Sequence, residues 1–169
     1  MRRNIELKAR CADLEKARQA AIRAGATFQG ILAQTDTYFR VPNGRLKLRE
    51  IEGQMAELIW YARPDETNFR ESRYILTPIA EPATALAALS QALGIRGIVK
   101  KRRELFLFEN VRIHLDTVEG LGSFIEFEAV IFDASDEPAS HEKLARLADA
   151  LQIQDADRIA VSYSDLAGI

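Results

Sequence analysis

The stretch GSFIEFEAVIF, residues 122–132, is almost entirely apolar, yet it carries Glu126 and Glu128 two positions apart. In a β-strand, residues i and i+2 point to the same side of the sheet and lie about 6.6 Å apart along the chain. Ile125 and Phe127 therefore face the opposite side. For this strand taken alone, the simplest interpretation is an antiparallel sheet with one solvated face, on which glutamates are simply hydrated. The other strands test that interpretation.

The composition is typical of a globular chain with a full core and no overall basic character. The 169 residues are 47% hydrophobic and 28% charged, and the net charge is -2. We therefore expect a single domain over residues 1–169 and no binding of a nucleic acid polymer. The lone Cys11 excludes an internal disulfide, and the start MRRNIELKAR lacks an apolar signal core. With no segment long enough to cross a membrane, we expect no membrane contact and a cytoplasmic protein.

Alternating and helical patterns predict about eight strands and three or four helices. The predicted strands cover residues 3–10, 28–41, 44–52, 55–63, 69–79, 97–108, 111–118 and 123–132. A first helix is predicted to follow Asp13 as N-cap and to stop at Gly25. A second is predicted from Pro82 to Gly94, a third from Ser140, and a last short one within DADRIAVSYSDLAGI.

Most of the predicted strands repeat the pattern of the opening stretch, because each places polar and charged side chains on one face. The residues that share such faces are Asn4, Glu6 and Lys8; Asp36, Tyr38 and Arg40; Arg45, Lys47 and Arg49; Tyr61 and Arg63; Arg70 and Ser72; Lys101 and Arg103; and Arg112, His114 and Asp116. The opposite faces are mostly apolar. The sheet is therefore predicted to be charged on one side throughout.

Two architectures fit such a sheet. In the first, the sheet is open, helices cover its apolar face, and the charges meet solvent. In the second, about eight strands close into a barrel, the charges line its interior, and helices cover the apolar outside. The charged face is rich in Arg and Lys but acidic in tight clusters, which suits a polyanion held together with divalent cations. That composition favours the barrel.

Five segments, taken in order, resemble a known family. They are NIELK, RLKLR, KKRRELF, RIHLDTVEGLGSFIEFE and the terminal SYSDL. Together they resemble the CYTH family, also called triphosphate tunnel metalloenzymes, over almost the whole chain. The family includes class IV adenylate cyclases, thiamine triphosphatases and inorganic triphosphatases. The resemblance implies an α+β fold, in which a closed eight-stranded antiparallel β-barrel forms a triphosphate tunnel with helices packed outside.

The resemblance also implies a metal site for Mg²⁺ or Mn²⁺. The residues that match the family's metal ligands are Asn4, Glu6, Asp116, Glu126 and Glu128. Asn4 departs from the family pattern, which has Glu at this position, and an amide offers one carbonyl oxygen but no charge. The implied catalytic residues are Glu6, Lys8, Glu126 and Glu128.

The resemblance assigns the basic face to the substrate. The residues that match triphosphate-binding positions are Lys8, Lys47, Arg49, Arg63, Arg70, Lys101, Arg103 and Arg112. The expected partner is a small triphosphate molecule, namely ATP, thiamine triphosphate or tripolyphosphate, and a homodimer is a further expectation. Three functions stay open: a class IV cyclase reaction, triphosphate hydrolysis, and binding of a phosphate compound without turnover, which Asn4 alone supports.

Some of these residues also have simpler interpretations. Glu6 and Lys8 form a surface pair if the sheet is open. The run KKRR is otherwise typical of a localisation signal or a nucleic-acid patch, but its strand continues into ELFLF. His114 is interpreted as a structural or hydrogen-bonding residue, because nothing near it in the sequence resembles a His-rich metal site. Neither His114 nor Cys11 has a visible triad partner, so covalent catalysis is not expected.

Overall fold

Eight antiparallel strands form a closed barrel in a computed structural model that describes residues 1–169, in the order β1-β5-β4-β3-β2-β6-β7-β8. The strands are β1 (Arg2–Arg10), β2 (Thr27–Phe39), β3 (Arg45–Ile51), β4 (Ala56–Ala62), β5 (Arg70–Ile79), β6 (Ile95–Phe108), β7 (Val111–Val118) and β8 (Gly122–Ile131). Closure leaves no edge strand unpaired. The barrel and its strand number are as predicted.

Four helices lie outside the barrel or at its end: α1 (Leu14–Arg23), α2 (Pro82–Leu93), α3 (Glu137–Ala150) and α4 (Tyr163–Leu166). The Asp13 carboxylate caps α1 by accepting a hydrogen bond from the backbone N–H of Lys16 at 2.9 Å, as predicted. Gly25, with φ of 98°, follows the helix in the left-handed region that glycine tolerates best. None of the helices has the length and apolar character needed to span a membrane.

The apolar faces of the strands point outward and pack under the helices. The main core joins β1, β7 and β8 to α1 and α3, with Ile113, Phe127 and Leu144 fully buried. A smaller core joins α2 to Phe39 and Leu48. The barrel thus inverts the usual arrangement of a small globular domain, because its apolar layer surrounds a polar interior.

Part of the outer surface has no helix over it. The helices α1 and α3 pack on β1, β7 and β8, and α2 packs on β2 and β3. On the outward side of β5, Ile75 is 50% exposed. The homodimer stays a prediction.

Three predicted boundaries differ from the observed ones by two residues or more. A capped 3-10 turn, Ala134–Asp136, leads directly into α3, so this helix begins at Glu137 and Ser140 lies inside it. Strand β6 begins at Ile95, two residues earlier than predicted. Strand β2 ends at Phe39 because its register shifts after Tyr38, and Arg40 is exposed rather than on the inner face. The alternation rule fails there because the register shift interrupts it.

Candidate active site

The interior of the barrel is a cavity of about 260 Å³ that is dominated by charge, and it is called the tunnel below. Eight cationic side chains line the tunnel, against four carboxylates. They are Arg2, Lys8, Lys47, Arg49, Arg63, Lys101, Arg103 and Arg112, with Glu6, Glu57, Glu126 and Glu128. This excess of cations in a confined space of low dielectric attracts polyanions.

The C-terminal segment covers one end of the tunnel, where Ser162 and Tyr163 of this segment line the cavity. The carboxylate of Asp165 binds Arg45 at 3.0 Å and Arg96 at 2.7 Å, so it ties α4 to two strands of the barrel. The other end, called the mouth below, is formed by the opposite ends of the strands.

One wall of the tunnel carries a cluster of three residues that can hold a metal ion: His114, Glu126 and Glu128. One potential ligand atom from each lies within 4.8 Å of the others. Nδ1 of His114 is 3.6 Å from a Glu126 oxygen and 4.0 Å from a Glu128 oxygen. It is buried and has no hydrogen-bond partner. An unpartnered nitrogen that faces two carboxylates fits a cation bound among the three groups.

The protonation of this cluster also suits metal binding. Burial, together with the charge of Arg103, lowers the pKa of His114 and favours the neutral imidazole, which is the form that ligates metals. Burial opposes ionisation of Glu126, but Lys8 at 3.3 Å, with Arg103, holds the pKa of this carboxyl well below its usual range. Glu126 is therefore a carboxylate at neutral pH.

Two other predicted metal ligands, Glu6 and Asp116, lie outside the three-residue cluster, and each binds at least one arginine. Glu6 lies in the tunnel, where Arg63 at 3.0 Å and Arg70 at 3.1 Å share one of its oxygens. Burial raises the pKa of Glu6 in spite of these cations, and the charge of Glu126 acts in the same direction. Arg70 is fully buried behind the lining and also donates to the backbone carbonyl of Ile159.

Asp116 is fully buried outside the tunnel lining. Both its oxygens accept hydrogen bonds from Arg103, at 2.7 and 2.6 Å, and the Tyr163 hydroxyl donates to it at 2.8 Å. Burial opposes ionisation, but Arg103 outweighs it and lowers the pKa of Asp116 to about 2. The geometry therefore makes Asp116 the anchor of Arg103 and does not bring it into the cluster with Glu126 and Glu128.

Asn4 faces the tunnel next to Arg112. In the amide orientation that satisfies both groups, its oxygen accepts from an Arg112 nitrogen at 3.1 Å. Arg112 also binds Glu128 at 2.8 Å. Asn4 thus contacts a cation, whereas a carboxylate at this position would add a charge close to Glu128.

A second buried carboxylate organises three of the predicted phosphate-binding cations. Asp36 is 0% exposed and lies behind Lys47, Arg49 and Lys101. It accepts two hydrogen bonds from Arg49, at 2.8 and 2.9 Å, and lies 3.0 Å from Lys47 and 3.4 Å from Lys101. One negative charge therefore neutralises only part of three positive charges.

The pKa values follow from this imbalance. Arg49 makes the two-point contact with Asp36 and keeps its charge, as its planar guanidinium is suited to do. Burial, with repulsion from Arg49, lowers the pKa of Lys47 to about 7. Burial, with repulsion from Arg103, lowers the pKa of Lys101 to about 8. At a pH above these values each lysine is mostly neutral, and it gains a proton when a polyanion enters the tunnel.

The KKRR run divides its charges between the two faces of β6. Lys101 and Arg103 point into the tunnel, and Lys100 and Arg102 point outward. Arg102 pairs with Glu104 at 2.9 Å. Only half of the run is therefore exposed.

Three residues of the site were not assigned a functional role from the sequence. His114 was set aside although it shares a face with Asp116, because the sequence does not show that β7 and β8 bring it beside Glu126. Asp36 was placed on the inner face without a role. Tyr163 was noted in the sequence only as part of SYSDL. In the structure, the centre of its ring lies 3.9 Å from the Lys8 ammonium and 5.1 Å from the Lys101 ammonium.

We expect Tyr163→Phe to destabilise the protein, because it removes the hydroxyl oxygen that donates to Asp116. The phenylalanine ring keeps the contacts with Lys8 and Lys101, but Asp116 loses a buried hydrogen bond. A hydrogen bond to a charged group contributes about 1.5–3 kcal/mol. Urea unfolding should show a loss of that size in the free energy of unfolding, with an unchanged m-value. A loss below about 0.5 kcal/mol would mean that the hydroxyl does not hold α4 in place.

Comparison with known proteins agrees with this architecture. The CYTH domain family matches residues 2–163. A protein of Methanocaldococcus jannaschii, named "Putative adenylate cyclase MJ0240", is 25% identical over 174 residues, which cover 98% of each chain. The PH1012 protein of Pyrococcus horikoshii is 26% identical, with a TM-score of 0.85 over 96% of this chain and 98% of that one.

A more distant solved structure shares the fold alone. HpAC1 of Hippeastrum, described as a putative adenylyl cyclase with a dominant triphosphatase activity, is 15% identical, with a TM-score of 0.64 over 99% of this chain and 94% of that one. The family match spans the barrel and reaches the tyrosine that covers its end. The chain belongs to the CYTH domain family.

Proposed function

We propose that this protein is a metal-dependent enzyme that acts on a triphosphate compound inside its tunnel. The observation that carries the proposal is the lining: eight cationic side chains surround a space whose wall also holds the His114, Glu126 and Glu128 cluster. Lys and Arg bind phosphate oxygens, and carboxylates bind the hard cations that accompany them. A neutral substrate would gain no binding energy from the cations or from a metal ion held by the cluster.

The cations position the phosphate chain. Lys47 and Arg49 bind its oxygens from β3, and Lys101 and Arg103 bind them from β6, on the other side of β2. The buried carboxylates behind these cations fix their side chains. Lys8, Arg63 and Arg112 extend this binding around the wall. Phosphoryl transfer depends mainly on positioning and charge stabilisation, so such an arrangement supplies much of what catalysis requires.

His114, Glu126 and Glu128 are the residues that would hold the metal ion. A bound Mg²⁺ or Mn²⁺ would supply Lewis-acid stabilisation of charge on the phosphoryl oxygens. Carboxylates suit both ions, but an imidazole ligand favours Mn²⁺. Glu6 and Asp116, which the family pattern would make ligands, act here by holding Arg63, Arg70 and Arg103.

The reaction that we favour is conversion of ATP to cyclic AMP and pyrophosphate. The ribose 3′-oxygen attacks the α-phosphorus, the bond from that phosphorus to the bridging oxygen of pyrophosphate breaks, and the hydroxyl proton is released. The relative from Methanocaldococcus jannaschii supports this reaction through its name and through its match over 98% of each chain. That this chain catalyses the reaction named for its relative is our proposal.

Hydrolysis is the second candidate, in which water replaces the ribose hydroxyl and the products are orthophosphate and a diphosphate. The observation that favours it is that the cations and the three-residue cluster suit the phosphate chain and its metal ion, which are common to all triphosphates. None of these charged contacts requires a ribose.

The test is an assay of the purified protein with ATP, thiamine triphosphate and tripolyphosphate, each with Mg²⁺, with Mn²⁺ and with EDTA. Cyclic AMP and pyrophosphate in equal amounts would identify the cyclase, and orthophosphate would identify the hydrolase. Both activities should vanish with EDTA. If all three compounds bind saturably and none is converted, the protein is a binding protein and the proposal of an enzyme is wrong.

We expect tripolyphosphate binding to take up protons at pH 8.5. Lys47 and Lys101, with pKa values of about 7 and 8, are mostly neutral in the empty tunnel at that pH. A bound polyanion favours their charged forms, so affinity should fall as the pH rises from about 7 towards 10.4. Calorimetry in two buffers of different ionisation enthalpy measures the uptake.

The matched control is Lys47→Arg, which keeps the positive charge but does not titrate in this range. Its proton uptake should be smaller than that of the wild type by up to about one proton per site. Equal uptake by the two proteins would show that Lys47 is already charged in the empty tunnel.

A further inference from the structure

A second group of cations lies at the covered end of the barrel, opposite the mouth and outside the tunnel. There Arg40, Arg45 and Arg96 border a cavity of about 300 Å³, together with Tyr38 and Gly44. None of the three arginines lines the tunnel, and Tyr38 is the one residue that borders both cavities. We call this second cavity the arginine pocket.

Three parts of the chain bring these arginines to the same place. Arg40 directly follows β2, and Arg45 is the first residue of β3, so the short turn between the two strands keeps both at the covered end. Arg96 lies in β6, where Ile95 and Gly97 pair with consecutive residues of β2 and leave Arg96 as the extra residue of a bulge. A bulge changes the direction of a side chain, and this one allows Arg96 to reach the pocket.

Most of the hydrogen-bond donors of this group have no partner. Arg45 and Arg96 each bind the carboxylate of Asp165 through a single nitrogen, Nη2, at 3.0 and 2.7 Å. The same Arg45 nitrogen also contacts Asp65 at 2.9 Å. The guanidinium of Arg40 is exposed and takes part in no ion pair or hydrogen bond. Since each guanidinium has five N–H donors, the three arginines can bind a further anion.

The arginine pocket is connected to the tunnel by a row of cations and by α4. Arg45 lies two residues before Lys47 on β3, so both share a face and are about 6.6 Å apart along the strand. The helix α4 contacts both cavities, because Tyr163 lines the tunnel and Asp165 binds two arginines of the pocket. An anion in the arginine pocket therefore meets the residue that holds α4 in place.

We propose that the arginine pocket is a second anion site, which takes up the inorganic phosphate product and in which that product competes with Asp165 for Arg45 and Arg96. The identity of the anion rests on the proposed function, since cyclisation of ATP releases pyrophosphate and hydrolysis releases orthophosphate. Guanidinium groups bind phosphate oxygens through paired hydrogen bonds. Pyrophosphate carries more charge than the Asp165 carboxylate and can contact all three arginines.

The competition links product binding to the covered end of the tunnel. Asp165 ties α4 to β3 and β6, and an anion that takes over its two arginines weakens this tie. Two ligands that compete for the same groups oppose each other by the same factor in both directions. Product should therefore loosen α4, and a docked α4 should weaken product binding.

Equilibrium dialysis with pyrophosphate, in EDTA, tests the site by counting the ions bound per chain. Arg40→Ser should bind one ion fewer than the wild type at concentrations that fill the pocket, because loss of a charge-assisted hydrogen bond weakens that site at least about tenfold. The fold is not at risk, as the Arg40 side chain is exposed and unpaired. The matched control is Arg23→Ser, an exposed arginine in the last turn of α1, which should bind as the wild type does.

Asp165→Asn tests the competition. The amide keeps the size of the side chain but removes the charge that holds the two arginines, so pyrophosphate should bind the pocket at least about fivefold more tightly. A carboxylate that served only to keep α4 folded would give no such gain. In the wild type, pyrophosphate should also speed hydrogen exchange at the backbone amides of Ala167 and Ile169, which bond within the C-terminal segment. This acceleration should be absent in Arg40→Ser.

The outcomes separate this inference from the proposed function. Equal numbers of bound ions and equal affinities for the wild type and Arg40→Ser would overturn the second anion site, whatever the enzyme assay gives. Unchanged affinity in Asp165→Asn would overturn the competition with α4. If no triphosphate is converted while Arg40→Ser still loses one bound ion, the enzyme proposal fails and the second anion site is supported.

Discussion

Glu126→Gln should lower the metal-dependent turnover at least about a hundredfold, because the loss of a group that only supports a metal ligand already costs 10- to 100-fold. The amide keeps the shape of the side chain but removes the negative charge that faces His114 and Glu128. Glu128→Gln should have an effect of the same order. The assay is the steady-state rate with Mg²⁺ and with Mn²⁺.

Loss of the fold must be separated from loss of the site in this experiment. Glu126 is buried beside Lys8, so its neutralisation leaves a buried cation with less compensation. Glu128→Gln should disturb the fold less, because the Glu128 side chain is 18% exposed and that of its partner, Arg112, is 34% exposed. Circular dichroism and calorimetric Mn²⁺ binding, on both variants, distinguish an unfolded protein from a folded protein that has lost its metal.

The control is Glu119→Gln, an exposed glutamate in the turn between β7 and β8. It should keep the full rate, as a surface carboxylate outside any ion pair has little influence on stability. Full activity in both Glu126→Gln and Glu128→Gln, with unchanged Mn²⁺ affinity, would show that neither glutamate is a metal ligand.

The barrel was predictable because most of the strands obey a two-residue period. Glu126 and Glu128 share a face, and the same period puts Lys47 with Arg49 and Lys101 with Arg103. Periodicity alone left an open sheet with the same charged face as an alternative. Closure depends on pairings between strands that are distant in sequence, β1 with β5, β1 with β8 and β2 with β6. The composition of the charged face favoured closure, and the family resemblance implied it.

The partners of each charge were less predictable than its face. The period places Asp116 and His114 on the same side of β7, but only the pairing of β7 with β8 brings His114 opposite Glu126. Asp116 lies one step closer to the covered end, where Arg103 and Tyr163 surround it. Which carboxylate binds a cation and which anchors an arginine therefore depends on tertiary distances of a few ångström.

Asp36→Asn should destabilise the empty protein by about 3–5 kcal/mol, because it leaves Lys47, Arg49 and Lys101 buried without the charge that holds them. For a chain of this size, such a loss lowers the melting temperature by about 10 °C. The pKa of Asp36 lies well below its usual range although burial opposes ionisation, because Arg49 and the two lysines outweigh it. Its stabilisation is therefore present above the unfolded pKa of about 3.9 and lost as the pH falls through the folded value.

The matched control is Asp65→Asn, which removes a carboxylate from the Arg45 pair at a side chain that is 45% exposed. Exposed ion pairs contribute about 0–1 kcal/mol, so this variant should melt close to the wild type. Equal melting temperatures for Asp36→Asn and Asp65→Asn would mean that the tunnel cations are not buried against one another. The difference between the variants should shrink at acid pH, since protonation of Asp36 removes the same charge from the wild type.

A polyanion bound in the tunnel should compensate for the charge that Asp36→Asn removes. Tripolyphosphate with Mg²⁺ supplies the missing negative charge from the other side of the same three cations. A ligand that binds only the folded state adds about 2.7 kcal/mol at a hundredfold excess over its dissociation constant. We expect tripolyphosphate to raise the melting temperature of Asp36→Asn more than that of the wild type. Sulfate and orthophosphate at equal ionic strength should do much less, because neither spans several strands, and equal shifts by all three anions would indicate screening of an exposed surface.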